Sequence, residues 1–453
     1  MLYIYRNKNN LLSFFAELLT VVIFLIFICM YIFEINISRD LLSLLVLCNS
    51  LSMFVLLITN PTVYHSGALM MFFTYNLIVN NGFVIAMFIN NEYITFQSVT
   101  SMAFLRNEYY HEAIIIANIV LSAFSLSLIY SKKRDMIFKS IKIENNDEGN
   151  TAANIIGVGL ITVCTLYVVY VVFANGLWFS GYLTTLRLLE NTAFPHFVVI
   201  ASLSIAFLIS SGTRKYVHIG ILIFGVYSLF QFAMGNRGEV FYAAVICFAL
   251  YSLRFKSIGY RQIIIAGLAV IVLIPLVRIS RELKIDGYMF NPLNSLLDVL
   301  AEEGIEISPF TYIVQYVHQN EGYVWGMTYV NNFADFILRR VGMSSPFAIE
   351  KYVIKEIMPY NGMAFSMIAE TYYNFTVVGS VIIHIILGQY IRNFDCKFYS
   401  NNLNEMQRIV GSMIMVVLIN LTRNDASTLP FYLTYTFIIL IFYKLTKTTI
   451  KKR

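Results

Sequence analysis

The residues with the clearest capacity for chemistry are arginines that stand beside turns or at the ends of apolar segments. One motif, Gly235-Asn236-Arg237-Gly238-Glu239, places two glycines around an arginine and brings opposite charges to one turn. Glycine lets the backbone turn tightly or approach a ligand closely. Arg278 and Arg423 each follow an apolar segment. Because a guanidinium binds two phosphate oxygens at once, these arginines predict a site for a phosphate group.

Two residues are candidates for a base that accepts a proton. Glu370 lies in or just outside a 29-residue apolar stretch, 363–391, and apolar surroundings suit a carboxylate with this task. A structural partner for one of the arginines is an equally open interpretation of Glu370. His318 is the second candidate, although a lone histidine more often packs or forms a structural hydrogen bond.

These residues must be positioned by membrane helices. The 453-residue chain is 58% hydrophobic and only 13% charged, whereas a soluble domain carries roughly 25% charged residues. Twelve apolar runs occur, most of which approach the ~20 residues of a membrane span, and helices satisfy the backbone in lipid. The sequence therefore predicts an all-α, polytopic membrane protein of about 12 transmembrane helices. The predicted spans are 11–33, 41–59, 68–90, 112–131, 153–174, 195–211, 216–234, 239–253, 262–277, 363–391, 409–422 and 428–445.

The basic residues predict the orientation of these helices. With a cytoplasmic amino terminus, 20 of the 32 Lys and Arg residues fall on the inner side, as the positive-inside rule expects. Both termini are then cytoplasmic, and residues 1–453 form a single membrane domain. Since the net charge of +6 is distributed in this way, we expect no nucleic-acid partner. The five cysteines show no disulfide spacing.

One large outer loop, 278–362, separates the predicted ninth and tenth spans. Leu293, Leu297 and Leu300 have helical spacing, and Phe310, Ile313 and Val317 continue it after Pro309. We expect amphipathic helices that cap the bundle and partly lie in the membrane interface. In span three, Asn76, Asn80 and Asn81 are expected to form hydrogen bonds between helices.

Three predicted spans are short. Residues 239–253, 262–277 and 409–422 cover roughly 21–24 Å at the α-helical rise, less than the ~30 Å hydrocarbon core. Each has an arginine at its outer end, and a charge below the membrane surface needs a wet cavity or a counter-ion. We therefore predict a recessed cavity suited to a lipid-linked phosphate. Tilted spans whose arginines extend to the interface are the alternative.

Several segments resemble one family, the bacterial Wzy-type O-antigen polymerases. They are the Gly235–Glu239 motif, the stretch from Pro275 to Arg281, Leu300-Ala301-Glu302-Glu303-Gly304, Ser308-Pro309-Phe310 and Met363 to Phe375. The last is similar to the family's Phe-Ser-x-Ile-Ala-Glu-x-Tyr-x-Asn-Phe segment. Thr376 stands where the family commonly has glycine. The likeness covers roughly residues 216–391.

The resemblance implies a glycosyltransferase that joins undecaprenyl-diphosphate-linked oligosaccharide repeat units at the periplasmic face of the bacterial inner membrane. Undecaprenyl diphosphate would be the leaving group, and the product O-antigen or capsule. A chain-length regulator is an expected partner, besides the bilayer. The expected catalytic residues are Arg237, Glu370, Arg278 and His318. The expected contacts to sugar and diphosphate are Asn236, Glu239, Arg281, Glu303, Tyr312, Tyr372, Asn374 and Arg423.

We expect no metal or other cofactor, because the eight aspartates include no Asp-x-Asp pair and no His/Cys spacing matches a metal site. Two other functions stay open. An O-antigen ligase-like, lipid-dependent glycosyltransferase differs mainly in its acceptor. A 12-helix transporter or flippase of lipid-linked oligosaccharide is less consistent with the sequence, which shows no internal repeat and has its longest loop after span nine.

Overall fold

A computed structural model describes residues 2–60, 63–90, 99–129, 150–178, 185, 188–189, 192–236, 238–255, 292–320, 322–340, 342–343 and 366–451. These residues form α-helices and short 3₁₀ turns, and no strand occurs among them. The predicted all-α class is confirmed.

The first half of the chain contributes eight helices. They are α1 (Leu2–Ile32), α2 (Arg39–Thr59), α3 (Ala68–Ile89), α4 (Tyr110–Ser127), α5 (Thr151–Ala174), α6 (Phe194–Ser211), α7 (Arg214–Ala233) and α8 (Gly238–Arg254). Two of these helices begin at a capping residue: the Ser38 and Asn150 side chains accept hydrogen bonds from the first turns of α2 and α5.

Three helices from the long loop follow: α9 (Pro292–Glu303), α10 (Ile307–Asn320) and α11 (Met327–Arg340). A 3₁₀ turn, Gly304–Glu306, joins α9 to α10. Of these, α9 and α10 were predicted from leucine and aromatic spacing; α9 packs against α3, and α10 packs against α4. Phe310 and Ile313 of α10 are fully buried there.

The last three helices are α12 (Met367–Tyr399), α13 (Glu405–Leu421) and α14 (Leu429–Lys451), with a 3₁₀ turn, Ala426–Thr428, before α14. Asp395 near the end of α12 accepts hydrogen bonds from the Ala68 and Leu69 amides at the start of α3, at 3.2 and 2.9 Å. A carboxylate at a helix amino terminus satisfies free N–H groups and the helix dipole. This contact fixes α12 against α3.

Nine helices among the described residues are long and apolar enough to cross a membrane. They are Leu11–Ile32, Arg39–Thr59, Ala68–Ile89, Tyr110–Ser127, Thr151–Ala174, Phe194–Ser211, Arg214–Ala233, Met367–Tyr399 and Ala426–Ile450. The α4 segment is 83% buried inside the protein and the α1 segment 22%, so α4 is central and α1 peripheral. The protein is a multi-pass membrane protein.

The remaining three predicted spans have different outcomes. The helices at 239–253 and 409–422 exist as α8 and α13, and both are short, with 17 residues each. The predicted span at 262–277 lies outside the described residues. The 278–291 and 344–362 parts of the long loop also lie outside them.

A network of neutral amides joins α2, α3 and α4. The Asn81 and Asn118 side chains exchange two hydrogen bonds, of 3.2 and 3.1 Å. Asn49 donates to the Asn118 Oδ1 and to the Ser122 Oγ, both at 3.0 Å, and Asn81 also donates to Ser50. We call Asn49, Asn81, Asn118 and Ser122 the amide network. The prediction for Asn81 is confirmed, whereas the Asn76 amide group donates to a carbonyl of its own helix, that of Phe72.

Candidate functional site

An arginine held between two glutamates lies where α3, α9 and the carboxyl end of α13 meet. Arg423 Nη1 donates to Glu303 Oε2 at 2.8 Å, and Arg423 Nε donates to Glu306 Oε1 at 3.0 Å. The Tyr75 hydroxyl of α3 donates to the same Glu303 Oε2 at 3.0 Å. We call Tyr75, Glu303, Glu306 and Arg423 the Arg423 network. The predicted recessed arginine at this position is therefore matched by counter-ions.

A close backbone approach positions the two glutamates. A Cβ added to Gly304 would clash with the backbone nitrogen of Phe83, and one added to Gly82 would lie 2.5 Å from the Leu300 carbonyl oxygen. Because only glycine leaves this space, the turn that carries Glu303 and Glu306 rests directly on α3. This close approach explains why a glycine follows Glu303 in the family-like motif.

Burial sets the electrostatics of this network. It raises the pKa of Glu306 from 4.5 to about 7, although Arg423 opposes the rise. The Glu306 Oε2 is buried and accepts no hydrogen bond in the structure. For Arg423, burial alone lowers the pKa of the guanidinium, but Glu303 above all raises it well above its ordinary value. Two carboxyls and one guanidinium therefore share a site in which burial favours the protonated form of Glu306.

The α8 helix, which follows the Gly235–Glu239 turn, contacts this network through an aromatic pair. Gly235 has a φ of +81°, the left-handed conformation that favours glycine, and Asn236 is buried with its amide group donating to Gln231 Oε1 at 3.0 Å. In the α8 helix that follows, the ring of Tyr242 packs 5.6 Å from that of Tyr75. Arg237 and the side chain of Glu239 lie outside the described part of the chain, as do Arg278 and Arg281.

The second cluster surrounds Glu370. The Glu370 Oε1 accepts a hydrogen bond from the Thr328 hydroxyl of α11, and its Oε2 from the Ala426 amide, both at 2.8 Å. Asn374 donates to the Thr328 Oγ1 at 2.7 Å and to the Glu370 carbonyl at 2.8 Å. Glu370 and Asn374 are buried. We call Thr328, Glu370, Asn374 and the Ala426 amide the Glu370 network.

One short segment links the two networks. Arg423 follows α13 directly, and three residues later the Ala426 amide reaches Glu370. The segment is held in shape by its own polar groups: the Thr428 hydroxyl donates to Asn420 Oδ1 at 3.1 Å, and the Asp425 side chain caps the turn. Glu303 and Glu370 belong to different family-like motifs that lie 67 residues apart, so residues 420–428 bring these motifs to one end of the bundle.

The α12 helix is interrupted beside the Glu370 network. Thr376 has φ +66° and ψ −178°, a region occupied almost only by glycine. This is the position where threonine replaces the family's usual glycine. The Thr371 and Ser380 hydroxyls lie 2.7 Å apart across the interruption, and Tyr329 of α11 stacks on Phe375 with ring centroids 6.2 Å apart. The break lets α11 pack at this level of α12.

The other predicted contact residues lie elsewhere. His318 Nε2 lies 2.9 Å from Glu112 Oε1, and its ring stacks on Tyr109 at 5.0 Å, so it contacts neither network. Tyr372 is fully buried among aromatic rings, including Phe310 and Tyr323. Tyr312 is also buried. The catalytic role of His318 and the roles of Tyr312 and Tyr372 in substrate binding stay predictions.

Sequence reasoning missed four members of the networks: three side chains and the Ala426 amide, which as a backbone group has no sequence signal. Glu306 lies between two family-like motifs, and its spacing of three residues from Glu303 was the available signal, because such residues share a face of a helical turn. Tyr75 is one of 31 tyrosines, and Thr328 is one of many threonines. Neither had a sequence signal.

No group of three His, Cys, Asp or Glu side chains that would hold a metal ion occurs among the residues described above. The residues present are an arginine, carboxylates and neutral donors. The arginine is paired with two of these carboxylates, Glu303 and Glu306.

Comparison with known proteins adds an independent finding. A family model described as "O-antigen polysaccharide polymerase Wzy" matches residues 15–453, a range that includes both networks. Protein CapE of Staphylococcus aureus is 24% identical over 397 residues, which cover 85% of this chain and 86% of CapE. No solved structure matches the chain at a significant level.

Proposed function

This chain belongs to the O-antigen polysaccharide polymerase Wzy family, and we propose that it joins undecaprenyl-diphosphate-linked oligosaccharide repeat units at the periplasmic face of the bacterial inner membrane. The family match, which spans nearly the whole chain, carries this proposal. The product is O-antigen or capsule, and a chain-length regulator is a partner by analogy with the family.

The proposed reaction is a glycosyl transfer. The hydroxyl oxygen of the acceptor sugar bonds to the anomeric carbon of the donor, whose bond to the diphosphate oxygen breaks. The diphosphate leaves with the bonding electron pair, and the hydroxyl proton passes to a base. Catalysis then requires positive charge at the leaving group and a fixed orientation of the two sugars.

We assign the leaving diphosphate to arginines. Arg237, Arg278 and Arg281 are the proposed primary contacts, and Arg423 is a further proposed contact; its partner Glu303 also accepts a hydrogen bond from Tyr75, whose ring packs against Tyr242 of α8. The two glutamates fix the Arg423 side chain before substrate arrives, so no reorganisation is needed at that residue. Metal-independent transfer is part of this proposal.

Glu370 is the proposed base. The carboxylate is buried, and each of its oxygens accepts a protein hydrogen bond; a buried and oriented carboxylate is suited to act as a general base. Thr328 and the Ala426 amide hold the carboxylate in one orientation. Asn374 supports Thr328 and supplies a further polar group for the sugar.

A glycan ladder tests the activity. The gene is deleted in its host, wild type is returned on a plasmid, and surface polysaccharide is separated on a gel. Deletion should leave single repeat units on the acceptor, and wild type should restore the ladder. Bare acceptor with accumulating lipid-linked polymer would instead show a ligase, and an unchanged ladder would contradict both.

A matched pair of variants tests the base. Glu370→Gln should abolish the ladder, while His318→Ala should reduce it far less, because His318 contacts neither network. Western blotting of both variants in the membrane fraction controls for folding. A full ladder from Glu370→Gln would exclude Glu370 as the base and leave the polymerase activity itself unaffected.

A further inference from the structure

The α11 helix has two faces that contact different surroundings. Its inner face carries Thr328, which hydrogen-bonds Glu370 and Asn374, and the adjoining Tyr329 stacks on Phe375. The outer face carries Val330, Phe333 and Ile337, which have the spacing of one helical face. Their exposed fractions are 58%, 36% and 59%. Unlike α9 and α10, α11 leaves its apolar face uncovered.

A tryptophan extends this apolar face at the start of the helix. Trp325 is 71% exposed, and the turn that presents it has left-handed conformations at both Trp325 and Gly326, with φ of +49° and +87°. A non-glycine residue in this conformation is uncommon. Tryptophan is enriched where membrane proteins meet the headgroup region, because its ring is amphipathic.

The α11 helix packs beside two spanning helices that also expose large apolar side chains. α11 contacts α12, α14 and the 3₁₀ turn before α14, and Phe336 packs edge-on against Phe431 near the start of α14, at 4.9 Å. Directly beyond these contacts, both spanning helices expose large apolar side chains. They are Val378, Ile382 and Ile386 on α12, and Leu433, Phe437 and Ile441 on α14.

We propose that α11 lies in the membrane interface, with Trp325, Val330, Phe333 and Ile337 in contact with lipid hydrocarbon chains. Exposure of an apolar face of this extent to water is unfavourable in free energy. An amphipathic helix binds the membrane interface through such a face. Lipid is the occupant because α11 packs beside two spanning helices that expose apolar side chains of their own. The Glu370 network then lies about one helix diameter, ~10 Å, from lipid.

This position has a consequence for substrate access. A lipid-linked ligand would keep its hydrocarbon chain against the outer face of α11. Its polar head would reach Thr328 on the inner face of α11 and the neighbouring Glu370 of α12. The lipid contact itself does not rest on the proposed polymerase activity, and it is measured without any substrate.

Tryptophan fluorescence tests the proposal, because the chain has only two tryptophans, Trp178 and Trp325. A Trp178→Phe variant is reconstituted into phosphatidylethanolamine–phosphatidylglycerol vesicles with bromine either near the headgroup or near the chain end. Trp325 should lose most of its fluorescence to bromine near the headgroup and less to bromine at the chain end. Ile337→Asp in this background should reduce the quenching, and Ile337→Leu should not.

A matched control places the only tryptophan on another loop helix. Gln319 is exposed on α10, whose apolar face is already buried, so Gln319→Trp in a Trp178→Phe, Trp325→Phe background should be quenched by neither lipid. Equal, weak quenching of Trp325 and of this control would overturn the proposal. Disulfide-linked dimers of Ile337→Cys in a Cys29→Ser background, with Trp325 shielded from bromine, would also overturn it and would identify an interface between two copies.

Discussion

The amide network and the Arg423 network are both buried polar clusters built on α3, yet they differ in charge. Asn81 of α3 belongs to the first and Tyr75 to the second, six residues apart on one helix. The amide network has no formal charge. The Arg423 network has one guanidinium and two carboxyls.

The two clusters differ in how their polar groups are satisfied. Amides donate and accept equally, so Asn49, Asn81, Asn118 and Ser122 satisfy one another. Charges in a membrane protein are costly and are retained mainly where function uses them. The charged network therefore marks the end of the bundle where we place the chemistry, and the amide network marks structure.

The largest effect is expected from Arg423→Ala. Removing the guanidinium leaves Glu303 and Glu306 buried without their counter-ion, and breaking a buried ion pair in this way costs about 3–5 kcal/mol. We expect no glycan ladder and a large fall in the melting temperature of the purified protein.

Arg423→Lys separates charge from geometry. Lysine keeps the positive charge but cannot reach both glutamates with a planar fork, so the fold should largely recover while polymer length stays reduced. A normal ladder from Arg423→Ala would contradict the assignment of this network to the site.

The next effect depends on pH through Glu306. Its pKa is raised in the folded state, so the folded protein holds this proton more tightly than the unfolded chain does. Relative to Glu306→Gln, wild-type stability should be greatest below about pH 4.5 and fall as the pH rises to about 7. The expected change is on the order of 3 kcal/mol.

Thermal unfolding of wild type and Glu306→Gln in detergent, across this pH range, measures the difference. The amide network contains no titratable group, so Asn118→Ala provides the control and should keep the pH dependence of wild type. A pH-independent difference between wild type and Glu306→Gln would show that Glu306 titrates at its ordinary pKa.

Asn118→Ala itself should have a smaller and purely structural effect. It removes hydrogen bonds to Asn49 and Asn81, and such bonds within membranes contribute ~0.6 kcal/mol each and up to ~1.7. We expect a loss of about 1–2 kcal/mol with an unchanged ladder. Ser125→Ala on the same helix loses only a bond to its own helix and should be nearly neutral. Loss of polymer from a stably folded Asn118→Ala would remove the distinction between the networks.

Much of the fold was predictable from hydrophobicity, because lipid imposes helices of a fixed length. The short helices α8 and α13 and the loop helices α9 and α10 were found in this way, since apolar spacing is a local property. The interruption of α12 was harder to predict from the sequence. Thr376 differs from the family's glycine, but only the backbone shows that this residue has a left-handed conformation.

The site was predictable only in part, because its contacts join distant segments. Glu303, Glu370, Asn374 and Arg423 were singled out by motif or by recessed charge, and the structure brings them to one end of the bundle. Arg423 pairs with Glu303 and Glu306, which lie more than 100 residues away in the chain. No periodicity in the sequence indicates a contact between such distant residues. Tyr75 and Thr328 depend on packing alone.

The Tyr75→Phe variant has the smallest expected effect, and it tests on α3 itself whether the Arg423 network and the amide network differ in function. The variant keeps the ring against Phe241 and Tyr242 and removes only the hydroxyl that donates to Glu303. Since Glu303 keeps its Arg423 partner, we expect a loss of about 1 kcal/mol and a ladder of normal length, measured beside Asn118→Ala. If Tyr75→Phe instead abolishes polymer while its melting temperature stays near that of wild type, the hydroxyl acts on substrate. The Arg423 network would then extend into the reaction itself, and α3 would carry structure at Asn81 and chemistry less than two turns away.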